Sequence, residues 1–397
     1  MPTRQAWSKI DLELPEDFAI NVLTLSPRSI GGFYYSAEAG TLASGEPVML
    51  LSKNHPDGKA VGEFGDGGTA RITMPGEQGS WLCFTEDGDH LLCGVALRVN
   101  EQFGIFRLKK ETGELDERFG DRGWKLTPYP EEPAVQSAEE PRLINAVSGH
   151  TPQFPDQKLR QAVNSGIAQF TLDGSLDTSF NEVGMRRFFM REGKRLFALD
   201  VVARFNGAQH DGFYYCGMYR YLADDVQAWV GAMDKNGSVV SQFADDGVWI
   251  VYRLPGHPDI ESLAAYSALQ AHDAVYVAGS AADNGFLVRL GLDGKPDQQF
   301  NAGKAILLNP PGYARAKAFA IAQDGEDSLV AVSELSGLSV GVSICRFNSE
   351  GLQDTSFGDN GWLVAPASTA DSLAVLEDGG VRRIELKGAG YIASYPL

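Results

Sequence analysis

The sequence is short of positive charge. Against 52 Asp and Glu it carries 34 Lys and Arg, a formal net charge of −18 over 397 residues. Nucleic-acid binders need cations to displace condensed counterions, so nucleic acid is not an expected partner. An anionic membrane surface is disfavoured for the same reason. The acidity itself reads as a contribution to solubility.

Long apolar runs are lacking as well. No segment approaches the about 18 residues of a membrane span, and the N-terminal stretch "MPTRQAWSKIDLELPEDF" has no apolar core of a signal peptide. The default expectation is a cytoplasmic protein, with export by a leaderless route left open. Cysteine is scarce: Cys83, Cys93, Cys216 and Cys345 form no CxxC pair and no zinc spacing. Cys83 and Cys93 flank the turn "TEDGDH" and could face each other on adjacent strands, but a one-residue register change would part them. Buried free thiols are the expectation. The six histidines, His55, His90, His150, His210, His257 and His272, are scattered and show no HxxxH pair.

What the sequence does have is repetition. Variants of one phrase occur six times, the cleanest being "DGSLDTSF" at Asp173–Phe180, with "TGELDERFGDRGW" and "EGLQDTSFGDNGW" close to it. Its phenylalanine falls at Phe64, Phe119, Phe180, Phe243, Phe300 and Phe357, at intervals of 55, 61, 63, 57 and 57 residues. Before each phrase runs a strand-like segment such as "FLVRLGLDG", and after it a Gly and a further strand such as "GWLVAP". Hairpin signals such as "AFAIAQDGEDSLVAVSEL" lie further on. Each unit therefore holds a hairpin (strands a and b), a strand c, the phrase and a strand d. Four antiparallel strands per unit of this length, with no long amphipathic helix, predict a β-propeller blade.

After the last phrase the chain supplies strands a, b and c and then ends. "QAWSKIDLELP" near the N-terminus matches "RGWKLTPYP", with Trp7 in the place of Trp124 and Trp362. The expected fold is all-β, a single seven-bladed β-propeller over residues 1–397, with four antiparallel strands per blade. Its blades are expected at 18–74, 79–128, 142–190, 194–252, 260–308, 314–365 and 370–397, and strand 5–14 closes the seventh. Closure of that kind removes open sheet edges.

The pattern "DGSLDTSF…G" after a strand like "FLVRL" resembles the bacterial delta-60 repeat, a family of uncharacterised β-propeller repeats. The copies at Asp177 and Asp354 are nearest to it; "GSVVSQFADDG" has lost the Asp, and "GKAVGEFGDGG" carries Val61 and Gly62 instead of Leu-Asp. The resemblance implies a propeller and no particular activity.

Within the phrase, the Gly of "DG" can take a positive φ. Asp116, Asp177, Asp297 and Asp354 can accept hydrogen bonds from amides two or three residues on. No cofactor is expected. Calcium in "GDGG" or "DGSLD" is the alternative, although the spacing does not match an EF-hand loop.

Function is expected on the opposite face, on the d–a and b–c connections around the mouth of the channel, because loops on a rigid scaffold carry function. The candidate binding residues there are Tyr129, Tyr219, Tyr221, Arg253, His257, Tyr313 and Arg315, since aromatic and Arg side chains are common anchors. "FYYSAEAG" and "FYYCGMY" read as equivalent strand b segments with inter-blade aromatics. The irregular insert "GHTPQFPDQ" with His150 is a further candidate contact. "GLSVG", with Ser339 at its centre, lacks the following helix of a nucleophile elbow and reads as a chance match.

The expected function is non-catalytic: a monomeric binding or scaffold propeller presenting one loop face to a protein partner. A carbohydrate-binding, lectin-like propeller with a glycan ligand is the alternative, and a channel-centred hydrolase or lactonase-like enzyme the third.

Overall fold

The computed structural model of the protein describes residues 6–13, 19–25, 32–41, 47–74, 79–97, 102–128, 156, 158–163, 166–188, 196–222, 225–251, 253–334, 341–366, 372–378, 381–388 and 391–397. Among these the only helix is a 3-10 turn, Asn301–Gly303. The strands form seven antiparallel sheets.

The first blade is Ala19–Leu25, Tyr34–Thr41, Pro47–Asn54 and Thr69–Thr73. The second is Gly79–Asp87, His90–Leu97, Gln102–Lys109 and Trp124–Pro128. In the third, Leu159–Val163, Gly166–Phe170 and Met185–Arg187 pair as b, c and d. The expected strand a of this blade and, apart from Asp156, its insert with His150 lie outside the described residues; Asp156 accepts from Arg160 Nη1 and Nη2 at 2.9 and 2.7 Å. The fourth is Leu196–Asn206, Gln209–Leu222, Asp225–Asp234 and Val248–Val251. The fifth is Leu263–Ala271, Ala274–Ala281, Asn284–Gly291 and Ile306–Leu308. The sixth is Ala316–Asp324, Asp327–Glu334, Val342–Phe347 and Leu363–Val364. The seventh joins Ser372–Asp378, Val381–Gly388 and Tyr391–Pro396 to the N-terminal Ser8–Asp11. The fold is thus a seven-bladed β-propeller, its last blade made from both ends of the chain.

The chain divides into two compact units, residues 10–194 and residues 1–9 with 195–397. In the first, one apolar core lies between blades one and two, with Tyr35, Phe64 and Phe106 fully buried, and another between blades two and three, around Phe103, Phe119 and Phe170. In the second, the cores lie between blades four and five, five and six, and six and seven. A blade reads as a run of buried residues on both faces because both faces are covered; the strand Ala274–Ala281 is buried throughout. Cys93, Cys216 and Cys345 are buried free thiols within this packing. The register sets Cys83 opposite Gly94 and Cys93 opposite Phe84, so the two cysteines are not cross-strand partners.

Trp7 anchors the seventh blade. Its indole Nε1 donates to the Val364 carbonyl at 2.9 Å, its ring lies 5.4 Å from that of Tyr395, and Ser8 Oγ donates to the Ser394 carbonyl at 3.3 Å. The strand that the sequence places at residues 5–14 is paired over Ser8–Asp11.

The phrase is built alike in each copy. The N–H at the Asp position donates back to strand c: Asp116 to Arg107, Asp177 to Gln169, Asp297 to Arg289 and Asp354 to Arg346, each at 2.9 Å. The two divergent copies keep this bond, from Val61 to Lys53 and from Val240 to Ala232, so in the first copy Ala60 and Val61, rather than Val61 and Gly62, stand at the Leu-Asp positions. The bond fixes a common register for all six. It also corrects the matching of the two aromatic strings: Tyr35 stands opposite Lys53 and Tyr214 opposite Ala232. Tyr35 therefore corresponds to Tyr214, one residue off the alignment that the identical letters suggest. Both Tyr rings sit on their own phrase phenylalanine, 5.9 Å from Phe64 and 5.5 Å from Phe243.

Candidate functional site

The common register shows how the phrase uses its charges. Strand c supplies an Arg that pairs with the phrase Asp: Arg107 with Asp116 at 2.6 Å, Arg289 with Asp297 at 2.8 Å, and Arg346 with Asp354 at 2.5 Å. Each guanidinium lies over the phrase phenylalanine, 4.7 Å from Phe119, 5.0 Å from Phe300 and 4.8 Å from Phe357. In the third blade Gln169 Nε2 and Lys158 Nζ donate to Asp177 at 2.8 and 2.6 Å. In the fourth blade Val240 and Ala232 occupy the two positions, so the pair is lost as a pair. In the first, Val61 is joined to Lys53, whose ammonium donates to the Lys110 carbonyl at 3.1 Å and lies 4.4 Å from the Phe33 ring.

The electrostatics follow. Burial works against the charge of Asp177, but hydrogen bonds from Lys158, Ser179 and Gln169 hold its carboxyl well below the usual carboxylate range. The same opposition leaves Asp116 lowered by Arg107 and the Arg118 amide. Ser356 and Arg346 lower Asp354. Burial pushes Tyr214 up to about 12. These groups are committed to holding the phrase in place.

A cleft of about 740 Å³ opens between blades five and six on the phrase face. Its floor is Ala271, Ala274, Tyr276 and Arg289, all buried. Its rim combines His272 and Asp273 from the a–b hairpin of blade five, Gln299, Asn301 and Ala302 from the phrase, and Glu326, Ser349, Glu350 and Leu352 from blade six. Arg289 is held from three sides: Nε donates to Asp297 at 2.8 Å, and Nη1 donates to the Ser349 carbonyl at 2.6 Å and to Tyr276 Oη at 3.3 Å. Burial lowers the Arg289 pKa, but Tyr276 and Asp297 more than offset it, so the guanidinium stays charged.

The residues singled out from sequence lie elsewhere. Tyr129 and the side chain of Tyr221 are outside the described residues. Tyr219 is buried in the strand Gln209–Leu222, opposite Gln227. Arg253 is exposed on the d–a link into blade five. His257, on the same link, is half-buried, with Nε2 3.1 Å from the Ala305 carbonyl. The next link carries Tyr313, whose hydroxyl is 3.2 Å from Ser343 Oγ, and exposed Arg315, which donates to Asp283 at 2.9 Å. The structure thus groups the candidates by link, Arg253 with His257 and Tyr313 with Arg315. Ser339 of "GLSVG" lies outside the described residues. The cleft residues Tyr276, Arg289 and Gln299 escaped sequence reading because they belong to a repeated structural element. The signal that could have found them is the hairpin "AHDA", which has Ala where "DGED" and "DGDH" have Asp or His.

The model of a family described as a domain of unknown function (DUF5122) beta-propeller matches residues 161–180, from strand b of the third blade to its phrase phenylalanine. No curated protein matches the sequence. Among solved structures the chain is similar to an exo-1,5-alpha-L-arabinanase from a bovine ruminal metagenomic library, at 10% identity over 80% of this chain and 93% of that one, with a TM-score of 0.32. It is also similar to prolyl oligopeptidase B from Galerina marginata, at 11% identity over 96% of this chain and 49% of that one, with a TM-score of 0.43.

Proposed function

We propose that the protein is a non-catalytic binding propeller, built from repeats of the delta-60 type, that presents its d–a and b–c links to a protein partner. The observation that carries this reading is the fixing of the link between blades five and six. Arg315 and the Ala316 amide both donate to Asp283, at 2.9 and 2.8 Å, and Tyr313 reaches Ser343. The preceding link is tied as well, by His257 and by the Ala305 amide, which donates to the Pro255 carbonyl at 2.9 Å. Loops held in this way lose little conformational freedom when a partner docks, which favours affinity. Arg253 and Arg315 stay exposed on them as anchors of the type that dominates protein interfaces.

The test is affinity capture from native lysate with the full chain, beside the double variant Arg253→Ala, Arg315→Ala. A partner retained by the wild type and lost by the variant supports the reading. Identical recovery by both, with the variant folded, overturns it.

A further inference from the structure

We propose that the cleft between blades five and six binds a short neutral oligosaccharide. This site is separate from the link face and does not depend on the partner reading above.

The repeat itself shows why the cleft is there. The a–b hairpin of blade five closes on the pair Ala271 and Ala274. The same closing pair is Asp324 and Asp327 in blade six, Asp87 and His90 in blade two, and Asn206 and Gln209 in blade four. In blades six and two these polar side chains act beside the strand c arginine or the phrase Asp. In blade six Arg346 has Asp324 and Asp327 each at 3.9 Å besides Asp354. In blade two His90 stands 3.4 Å from Asp116. Blade five keeps the Arg and the phrase Asp but has alanines at both closing positions. The space beside Arg289 that side chains fill elsewhere is open, and its volume lies within the about 300–1,000 Å³ of small-molecule sites.

The lining decides the chemistry. Arg289 and Gln299 bring hydrogen-bond donors, while Asp273, Glu326 and Glu350 bring carboxylate acceptors. An anionic ligand would meet three carboxylates on a protein of net charge −18. A simple cation would meet the charged guanidinium on the floor. Hydroxyl groups suit both, since each donates one hydrogen bond and accepts others. Leu352, 61% exposed at the rim, offers an apolar surface for the C–H face of a sugar ring.

Isothermal titration of the full chain with lactose, maltose and cellobiose, beside sialyllactose and spermidine, tests the proposal. A printed array of neutral free glycans beside glycopeptides that keep their N-glycans separates free saccharides from protein-borne ones. At least one neutral saccharide is expected to bind. Ala274→Asp, which installs the residue blade six carries on its matching hairpin, should weaken that binding at least tenfold. Gln299→Ala, at an exposed position, should weaken it several-fold and serves should Ala274→Asp fail to fold. Arg253→Ala, Arg315→Ala should leave it unchanged. Binding of no neutral saccharide, binding of sialyllactose or spermidine in their place, or binding indifferent to both cleft variants would overturn the proposal.

Discussion

Gly351, in the phrase of the sixth blade, packs against the ring of Phe300 in the phrase of the fifth: a Cβ placed on Gly351 would come within 3.2 Å of Phe300 Cε2 and 3.1 Å of the Asn301 nitrogen. Beside this contact the Asn301 N–H donates to the Glu350 carbonyl at 2.8 Å. The arrangement recurs. Gly113 lies against Phe64, with Gly65 donating to the Thr112 carbonyl, and Gly294 lies against Phe243, with Ala244 donating to the Asp293 carbonyl. The phrase therefore links each of these blades to the next as well as joining its own strands c and d. Full burial of the phenylalanine contributes about 1.5–3 kcal/mol per blade.

That relationship sets the phrase glycine apart from the glycine of the a–b hairpin in the same blade. Gly351 has φ +82 and Gly325 has φ +64, but a Cβ on Gly325 would meet nothing within 4 Å. Gly325→Ala should cost about 1–2 kcal/mol, the strain of a left-handed alanine. Gly351→Ala should cost about 1–3 kcal/mol more, from overpacking against the neighbouring blade. Urea denaturation of both variants checks this; equal losses would remove the inter-blade role.

The Arg–Asp pair and its apolar replacement in blade four predict strong coupling. Arg107→Ala or Asp116→Val alone leaves a part-buried charge without its partner and should cost about 1.5–3 kcal/mol. The double variant reproduces the Ala232 and Val240 arrangement and should cost less than the sum of the two, with a coupling of about 0.5–3 kcal/mol. Additive losses in a double-mutant cycle would show that the pair is not a unit.

Stability should fall in acid. The carboxyls of Asp116, Asp177 and Asp354 are held below their ordinary range in the folded chain. Between the lowered values and the unfolded value of about 3.9 the unfolded chain binds more protons. Their stabilisation is thus complete above about pH 5 and lost as pH falls through that window. Asp177→Asn should flatten the acid limb of the melting-temperature profile and leave its shape above pH 6 unchanged. An acid limb as steep as in the wild type would contradict the assignment.

Trp7 should matter to the seventh blade out of proportion to its position. Trp7→Ala removes the bond to Val364 and the ring contact with Tyr395, and should cost about 1–2 kcal/mol. Deleting residues 1–13 removes the strand Ser8–Asp11 and leaves Tyr391–Pro396 as an open sheet edge, a template for pairing with another chain. Earlier melting and concentration-dependent association by size-exclusion chromatography are the expected results. A truncated chain that melts and elutes like the full one would refute this role.

Much of the fold was legible because β-propeller packing writes itself at short range. Phe64 to Phe357 mark the blades at near-constant spacing, and Trp7 marks the strand that completes the last sheet. Register was harder to read. "FYYS" and "FYYC" invite alignment letter by letter, yet Tyr35 matches Tyr214, since side chains alternate faces and only cross-strand partners fix which residue points where. The candidate site was the least legible. Tyr219 carries the residue type of a binding anchor but is buried, whereas Arg289, which lines the cleft, sits within a motif whose other copies are purely structural.

By itself the sequence determined the local grammar: apolar alternation for strands, Asp-Gly for turns, a phenylalanine at each blade's hinge, and a chain whose last blade lacks one strand that its beginning supplies. These follow from forces acting within a few residues or between adjacent strands. Only the tertiary structure decided that the turn glycine of one blade receives the phenylalanine of the blade before it. It also decided that two alanines on one hairpin, next to an arginine whose counterpart in blade six is surrounded by carboxylates, leave a cleft. Both depend on which faces meet across blades some 50 to 60 residues apart in sequence, and packing at that distance is settled by shape complementarity rather than by any local pattern.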